Sequence, residues 1–209
     1  MRKGCGVTRP GPHGPRRASR HAPIRRAGRA GTLALDAGLV PAHYRQAVVN
    51  SLVAAVHAFG DRIGTGSVAL GPLFRTLRDA GQDDLIYQMV TNPTAPSYAA
   101  LVNEGATTLW ESLTGSGGSK DHQFLGDVAA WFVHDVVGID QVPGSREYRQ
   151  LLIRPAIVGD LTHAAGSYKT PAGRAAVNWA RTSHGGVAMS VTVPRTRRRR
   201  SGFPRSVIV

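Results

Sequence analysis

The chain has 209 residues and a formal charge of +13, room for one ordinary domain or for one and part of another. Its single cysteine, Cys5, excludes an intrachain disulfide and a cysteine-built metal site, and no stretch approaches the roughly 20 apolar residues of a membrane span. The charge is confined to the ends: residues 1–30 carry nine Lys/Arg and residues 195–209 carry six, with no acid in either, which leaves residues 31–194 at a net −2. A nucleic-acid ligand therefore remains only for flanking arms, not for the body.

Residues 1–31 are Arg, Gly, Pro, Ala and His with few large apolar side chains, and are expected to form a disordered basic arm. Arg16-Arg17 and Arg20 are not followed by the apolar run of an export signal, so a cytoplasmic location is expected. Residues 195–209 form a second basic tail. Translation of a shifted frame in GC-rich DNA is one source that would explain both ends.

Between them the spacing predicts helices. Pro41 suits a helix start, and Tyr44, Val48, Leu52 and Val56 recur at helical spacing to about Phe59. After a Gly60–Gly66 loop, Leu70, Leu73, Phe74 and Leu77 define a second helix that Gly81 stops. A third begins at Asp83-Asp84, acids suited to a helix N-terminus, and carries Leu85, Ile86, Met89 and Val90. A fourth is expected over Ser97–Leu113, with Gly105 as an interruption. A fifth runs from His122 to about Val137 with Phe124, Val128, Trp131, Phe132 and Val136 as an apolar stripe, ended by Gly138. Trp131, Phe132 and Trp179 are expected in the core.

After Gly144 the period changes to about two. Leu151 and Ile153, Thr162–Lys169, Gly173–Arg181 and Val187–Val193 read as strands, the last two as a hairpin with one apolar face. Such a sheet needs a partner to cover it. The expected fold is α+β: helical hairpins over residues 32–140, then an antiparallel β-sandwich fragment over 141–194, neither complete.

Near the end of the fourth helix, Gly105-Ala-Thr-Thr-Leu-Trp110-Glu111 places a carboxylate after an aromatic ring. A Gly/Ser loop and Asp121-His122 follow. Acid, aromatic ring, flexible loop and histidine suit the lining of a sugar cleft; a lone helical Glu is also an ordinary solvated residue.

These motifs resemble a known family. Thr65-Gly66, Leu77-Arg-Asp-Ala-Gly81, Asp84-Leu-Ile-Tyr87, Gly105–Glu111, His122-Gln-Phe-Leu-Gly126 and Trp131-Phe132 stand in the order found near the C-terminal end of bacterial α-L-rhamnosidases, glycoside hydrolase family 78. Ile153-Arg-Pro155, Leu161-Thr-His-Ala164, Thr170-Pro-Ala-Gly173 and Trp179 resemble the β-sandwich that closes them. The resemblance implies the last part of an (α/α)6 toroid, and inverting hydrolysis of terminal α-L-rhamnose without metal or cofactor. In that chemistry an acid protonates the leaving oxygen and a carboxylate roughly 6.5–9.5 Å away activates water. By resemblance Glu111 is the general base, and His122 and Trp110 contact the sugar. The acid comes from a stretch of the family upstream of anything matched here, so the chain alone is expected to be inactive. Its expected partners are a rhamnose-containing glycoside and the missing N-terminal half of such an enzyme. Leu113 replaces a frequent second aromatic residue, and Asp121 an asparagine. The alternatives are a non-catalytic carbohydrate-binding remnant and another (α/α)6 glycosidase.

Overall fold

The computed structural model describes residues 30–115, 117–194 and 206–208. The expected disorder of residues 1–29, Cys5 and the Arg195–Arg200 run lie outside them. Residues 30–36 form helix α1, which no sequence pattern had marked; it buries Thr32 and Leu35 completely or nearly so. Then come α2 (Ala42–Ala58), α3 (Ser67–Asp79), α4 (Asp83–Thr91) and α5 (Tyr98–Asn103). After a 3-10 turn at Gln123–Leu125, α6 (Asp127–Trp131) continues into a π-helical turn, Phe132–Val136.

One device stops four of these helices. Gly38, Gly60, Gly81 and Gly105 all take positive φ, and the residue after each donates its N–H to the carbonyl five positions back. The pairs are Leu39 to Ala34, Asp61 to Val56, Gln82 to Leu77 and Ala106 to Leu101, at 2.9–3.1 Å. A left-handed residue that turns the chain back onto its last free carbonyls ends a helix cleanly, and glycine takes that conformation at little steric cost. The expected fourth helix is corrected accordingly: it stops at Asn103, and Ala106–Lys120 is irregular.

α3 is the central helix, burying Leu70, Leu73, Phe74 and Leu77 against Leu85, Ile86 and Met89 of α4 and Leu52 and Val56 of α2. Asp36 of α1 accepts two bonds of 2.8 Å from the Arg75 guanidinium of α3, which hold its carboxyl below the usual carboxylate range. Tyr44, Phe124 and Phe132 do not join the core; they are 58%, 59% and 48% exposed. Phe124 sits in the 3-10 turn. Phe132 opens the π turn, in which Val137 N–H reaches back to the Phe132 carbonyl at 2.9 Å. Val128, Trp131 and Val136 of the expected stripe are buried, and the wider turn brings Asp135 in with them in place of Phe132.

The β portion has two three-stranded sheets. β1 (Ile139–Gln141) pairs antiparallel with β2 (Gln150–Ile153), Ile139 opposite Ile153. β6 (Ser206–Ile208), in the stretch read as basic tail, pairs parallel with the other side of β2. The second sheet is antiparallel: β3 (His163–Thr170), β4 (Gly173–Arg181) and β5 (Val187–Thr192). Strand alternation turns Ala175, Val177 and Trp179 inward, all buried. On the same face of β5, Val191 packs against the core, but Val187 and Met189, opposite Arg181 and Trp179, remain 43% and 38% exposed, so cover over that face thins out along β5.

Helices and sheets are joined through α6 and its π turn. Trp179, wholly buried, donates its indole N–H to the Val136 carbonyl at 2.8 Å. Arg154 and Ala156 donate their amides to the carbonyls of Gly138 and Asp135. Gly138 allows this approach, because a Cβ there would lie 2.2 Å from the Pro155 nitrogen. Farther out, Asp84 accepts from the Gly159 amide at 3.0 Å and the Tyr87 hydroxyl donates to Asp160.

At the same junction, Arg78 of α3 reaches Asp140 at 3.0 Å, Asp79 at 3.3 Å and Asp135 at 3.4 Å. His134 lies 3.9 Å from Asp140 and bonds the Ile139 carbonyl at 2.8 Å. Burial works against the Arg78 charge, but three carboxylates outweigh it and raise its pKa. Asp135 goes the other way. Burial dominates over its share of Arg78, with Asp83 and Asp140 adding repulsion, and its carboxyl rises to about 6. Its fold therefore favours the protonated form.

Two outcomes follow. Trp179→Phe, which deletes the donor and leaves the Val136 carbonyl unpaired, should cost about 2 kcal/mol in urea unfolding. The Asp135 contribution to stability is present below pH 3.8 and lost as pH rises through about 6. A series of unfolding curves should show a decline on the order of 2 kcal/mol over that window, and Asp135→Asn should flatten it; the carboxyl of Asp83, also raised by burial, leaves a smaller slope.

Candidate functional site

The irregular stretch after α5 is organised by a short backbone ladder. Glu111 N–H donates to the Ser119 carbonyl at 2.9 Å and His122 N–H to the Leu109 carbonyl at 2.7 Å. The Thr108 hydroxyl donates to the Lys120 carbonyl. Residues 108–111 and 119–122 thus lie side by side, and the Gly/Ser loop closes them at the Glu111 end.

There the loop returns onto the carboxylate. The Ser119 amide donates to Glu111 Oε2 at 2.8 Å. Gly118, at φ +74°, makes the approach possible, since a Cβ there would stand 2.5 Å from Oε2. His122 Nδ1 is 3.9 Å from the same oxygen, beyond hydrogen-bond reach. Its ring meets Phe124 edge-on at 4.3 Å between centroids. Among the described residues Glu111 Oε1 has no hydrogen-bond partner.

Glu111 forms part of the wall of a cleft of about 240 Å³ between the Gly60–Gly66 loop and the 111–114 turn. Phe59, Ile63, Leu113 and Leu125 give it apolar surface, and Thr65 and Ser112 contribute hydroxyls. The 60–66 loop is tied down on its outer side. Asn92 bonds the Gly60 and Asp61 carbonyls, Arg62 bonds the carbonyls of Phe59 and Ala95, and the Ile63 amide reaches the Pro96 carbonyl. A second, shallower groove of about 350 Å³ runs over the outer face of β3–β4–β5. It is lined by small and polar side chains together with Arg174, and none of its lining residues is a carboxylate.

The structure brings Glu111 and His122 together but places only Glu111 in the cleft wall. Trp110 is half-buried against the helical core, and the Lys120 ammonium sits 3.0 Å over its ring centroid, a cation–π arrangement. The sequence reading did not single out Gly118, Ser119 or Lys120, and it quoted Thr65 only within a motif. A glycine pair before a serine marks a turn; only the fold shows which carboxylate that turn embraces. Among the described residues there is no cluster of three His, Cys, Asp or Glu side chains able to hold a metal ion.

The bacterial alpha-L-rhamnosidase 6 hairpin glycosidase domain matches residues 22–136, and the bacterial alpha-L-rhamnosidase C-terminal domain matches residues 138–200. The chain belongs to the bacterial α-L-rhamnosidase family. The α-L-rhamnosidase of Streptomyces avermitilis is 32% identical over 172 residues, 78% of this chain and 16% of that protein. The α-L-rhamnosidase of Alteromonas sp. (strain LOR) is 31% identical over 173 residues, again 78% of this chain and 18% of its own length. In three dimensions the S. avermitilis enzyme complexed with L-rhamnose superposes with a TM-score of 0.75 at 30% identity, over 80% of this chain and 17% of that one. The enzyme from Dictyoglumus thermophilum gives 0.73 at 32% identity, over 80% and 19%. The chain therefore spans less than a fifth of the length of these rhamnosidases, and its order of helical hairpins and antiparallel sheets is theirs.

Gly118→Ala should break the loop's hold on the carboxylate. The added methyl meets Oε2 and forces a left-handed residue, so stability should drop by about 1–2 kcal/mol and the Ser119 amide should exchange with solvent faster. Glu111→Gln keeps an oxygen acceptor, and amide-exchange measurements should find Ser119 still protected.

Proposed function

We propose that the chain carries the general-base wall of an α-L-rhamnosidase active site, acting in inverting hydrolysis of terminal α-L-rhamnose. The observation that supports this most directly is the Glu111 carboxylate at the edge of the cleft, with Oε2 held by the Ser119 amide and Oε1 without a hydrogen-bond partner among the described residues. A base must accept a proton from water in a fixed direction. One oxygen tied to the backbone leaves the other at a defined place, and orientation of this kind lowers the barrier by sparing the reacting groups their search.

Inversion also needs an acid across the sugar to protonate the departing oxygen. Among the described residues no other Asp or Glu lines the cleft. The acid then comes from a separate polypeptide segment, of the kind that makes up the remaining length of the relatives. His122, beside Glu111, is the sugar-contacting side chain nearest the base. Trp110, packed against the core with Lys120 over its ring, stands behind this wall as the second side chain that shapes the sugar site. The same lone carboxylate favours one second reading, a module that binds a rhamnose-containing glycoside without turning it over.

An aryl α-L-rhamnoside assay separates the readings. The purified chain alone should show no turnover. Mixed with a polypeptide supplying the other hairpins of a family member, it should become active, and Glu111→Gln in that mixture should lower the rate by about 10²–10⁴-fold. Robust turnover by the chain alone, or full activity with Glu111→Gln, contradicts the proposal.

A further inference from the structure

Among the described residues three buried side-chain polar atoms have no hydrogen-bond partner: Thr65 Oγ1, Thr76 Oγ1 and Trp131 Nε1. Thr76 and Trp131 lie in the helical core, each at most 3% exposed, and line neither cleft. Thr65 is different, because it forms part of the wall that faces Glu111.

The Gly60–Gly66 loop has three polar side chains. Asp61 accepts from or pairs with His57 at 2.7 Å, and Arg62 spends its guanidinium on two backbone carbonyls. Only Thr65 is left over. A buried hydroxyl without a partner is destabilising, and the loop that carries it is anchored at Gly60–Ile63. At the end of a cleft, such a group is satisfied by whatever the cleft binds.

The surroundings specify the ligand's chemistry. Glu111 disfavours an anion, and its single carboxylate is too few to hold a metal ion. The Ser112 hydroxyl is already engaged with Thr114 at 2.7 Å. Apolar surface from Phe59, Ile63 and Leu125 suits the C–H face of a ring. The volume, about 240 Å³, equals about eight waters at ~30 Å³ each. These features together suit one neutral ring that bears hydroxyls and an apolar face.

We propose that the Thr65 hydroxyl is a substrate-contacting, specificity-determining group, bonding one hydroxyl of the sugar whose hydrolysis Glu111 serves. The inference rests on the rhamnosidase reading above and adds a residue to it. A site built to bond a ligand hydroxyl discriminates strongly against losing that bond, because its own group is then left unpaired. A hydroxyl needed only for the fold would instead register in stability.

The experiment measures L-rhamnose binding by NMR titration, together with urea unfolding, for the wild type, Thr65→Val and Thr65→Ser. Thr65→Val keeps the shape and removes the hydroxyl. It should leave stability unchanged or slightly higher and weaken L-rhamnose by about 10-fold, while Thr65→Ser should bind close to wild type. Equal L-rhamnose affinity in Thr65→Val and wild type overturns the inference and leaves the Glu111 proposal standing. Loss of stability in Thr65→Val, with affinity unchanged in the folded fraction, assigns the hydroxyl to the fold and likewise overturns it. No binding by the wild type up to ~100 mM overturns both.

Discussion

The Trp179 indole, wholly buried with its N–H on the Val136 carbonyl, couples the helices to the sheets. Its acceptor lies on the π turn that ends α6. A π turn leaves a carbonyl oriented differently from those of a regular helix, and here it meets a donor from another layer. The same turn carries Asp135, whose side chain reaches Arg78, so one helical irregularity supplies two of the polar contacts of the junction. Leu70, Phe74 and Leu77 of α3 pack in the core that Trp131 and Trp179 share. The N-terminus of α3, at Gly66 and Ser67, borders the Glu111 cleft. The wall of the cleft therefore depends on packing established at the other end of that helix.

Much of this was legible in the sequence. α2, α3 and α4 appear where apolar spacing placed them, because each has a buried face and a clear stop, a glycine after α2 and α3 and Asn92-Pro93 after α4. The β4–β5 hairpin and the core positions of Trp131 and Trp179 were readable for the same reason. The exceptions have physical causes. Gly105 read as an interruption within a helix, yet the Schellman closure from Ala106 to Leu101 makes it a terminus. Phe132 read as core yet is 48% exposed, while Asp135, which no pattern marked, is buried, since a period of 3.6 cannot anticipate a wider turn. Helix α1 offers only Thr32 and Leu35 as buried signals, too few for a periodic pattern.

The candidate site was legible in part. A motif pointed to Glu111, and the fold adds the means of its orientation, a backbone amide rather than a side chain. Backbone donors leave no trace in residue identity, so Ser119 could not be recognised from sequence; Gly118 leaves one only through its missing Cβ. Thr65 lies 46 positions before Glu111 in the chain, and only tertiary structure brings the two to one cleft. Economy of charge is the resulting character of the site: one carboxylate, a nearby imidazole and an anchored loop with a spare hydroxyl.

The central claim is that sugar binds at the Glu111 cleft and nowhere else on the chain. The most direct measurement is the map of backbone amide shifts as L-rhamnose is added to the isotope-labelled protein. The account predicts saturable changes concentrated at Thr65, Glu111, Leu113, Gly118 and Ser119, with the strands unaffected. Changes centred on Ser167, Asn178 and Ser190, along the outer groove of β3–β4–β5, would contradict it and make the sheet the sugar-binding surface.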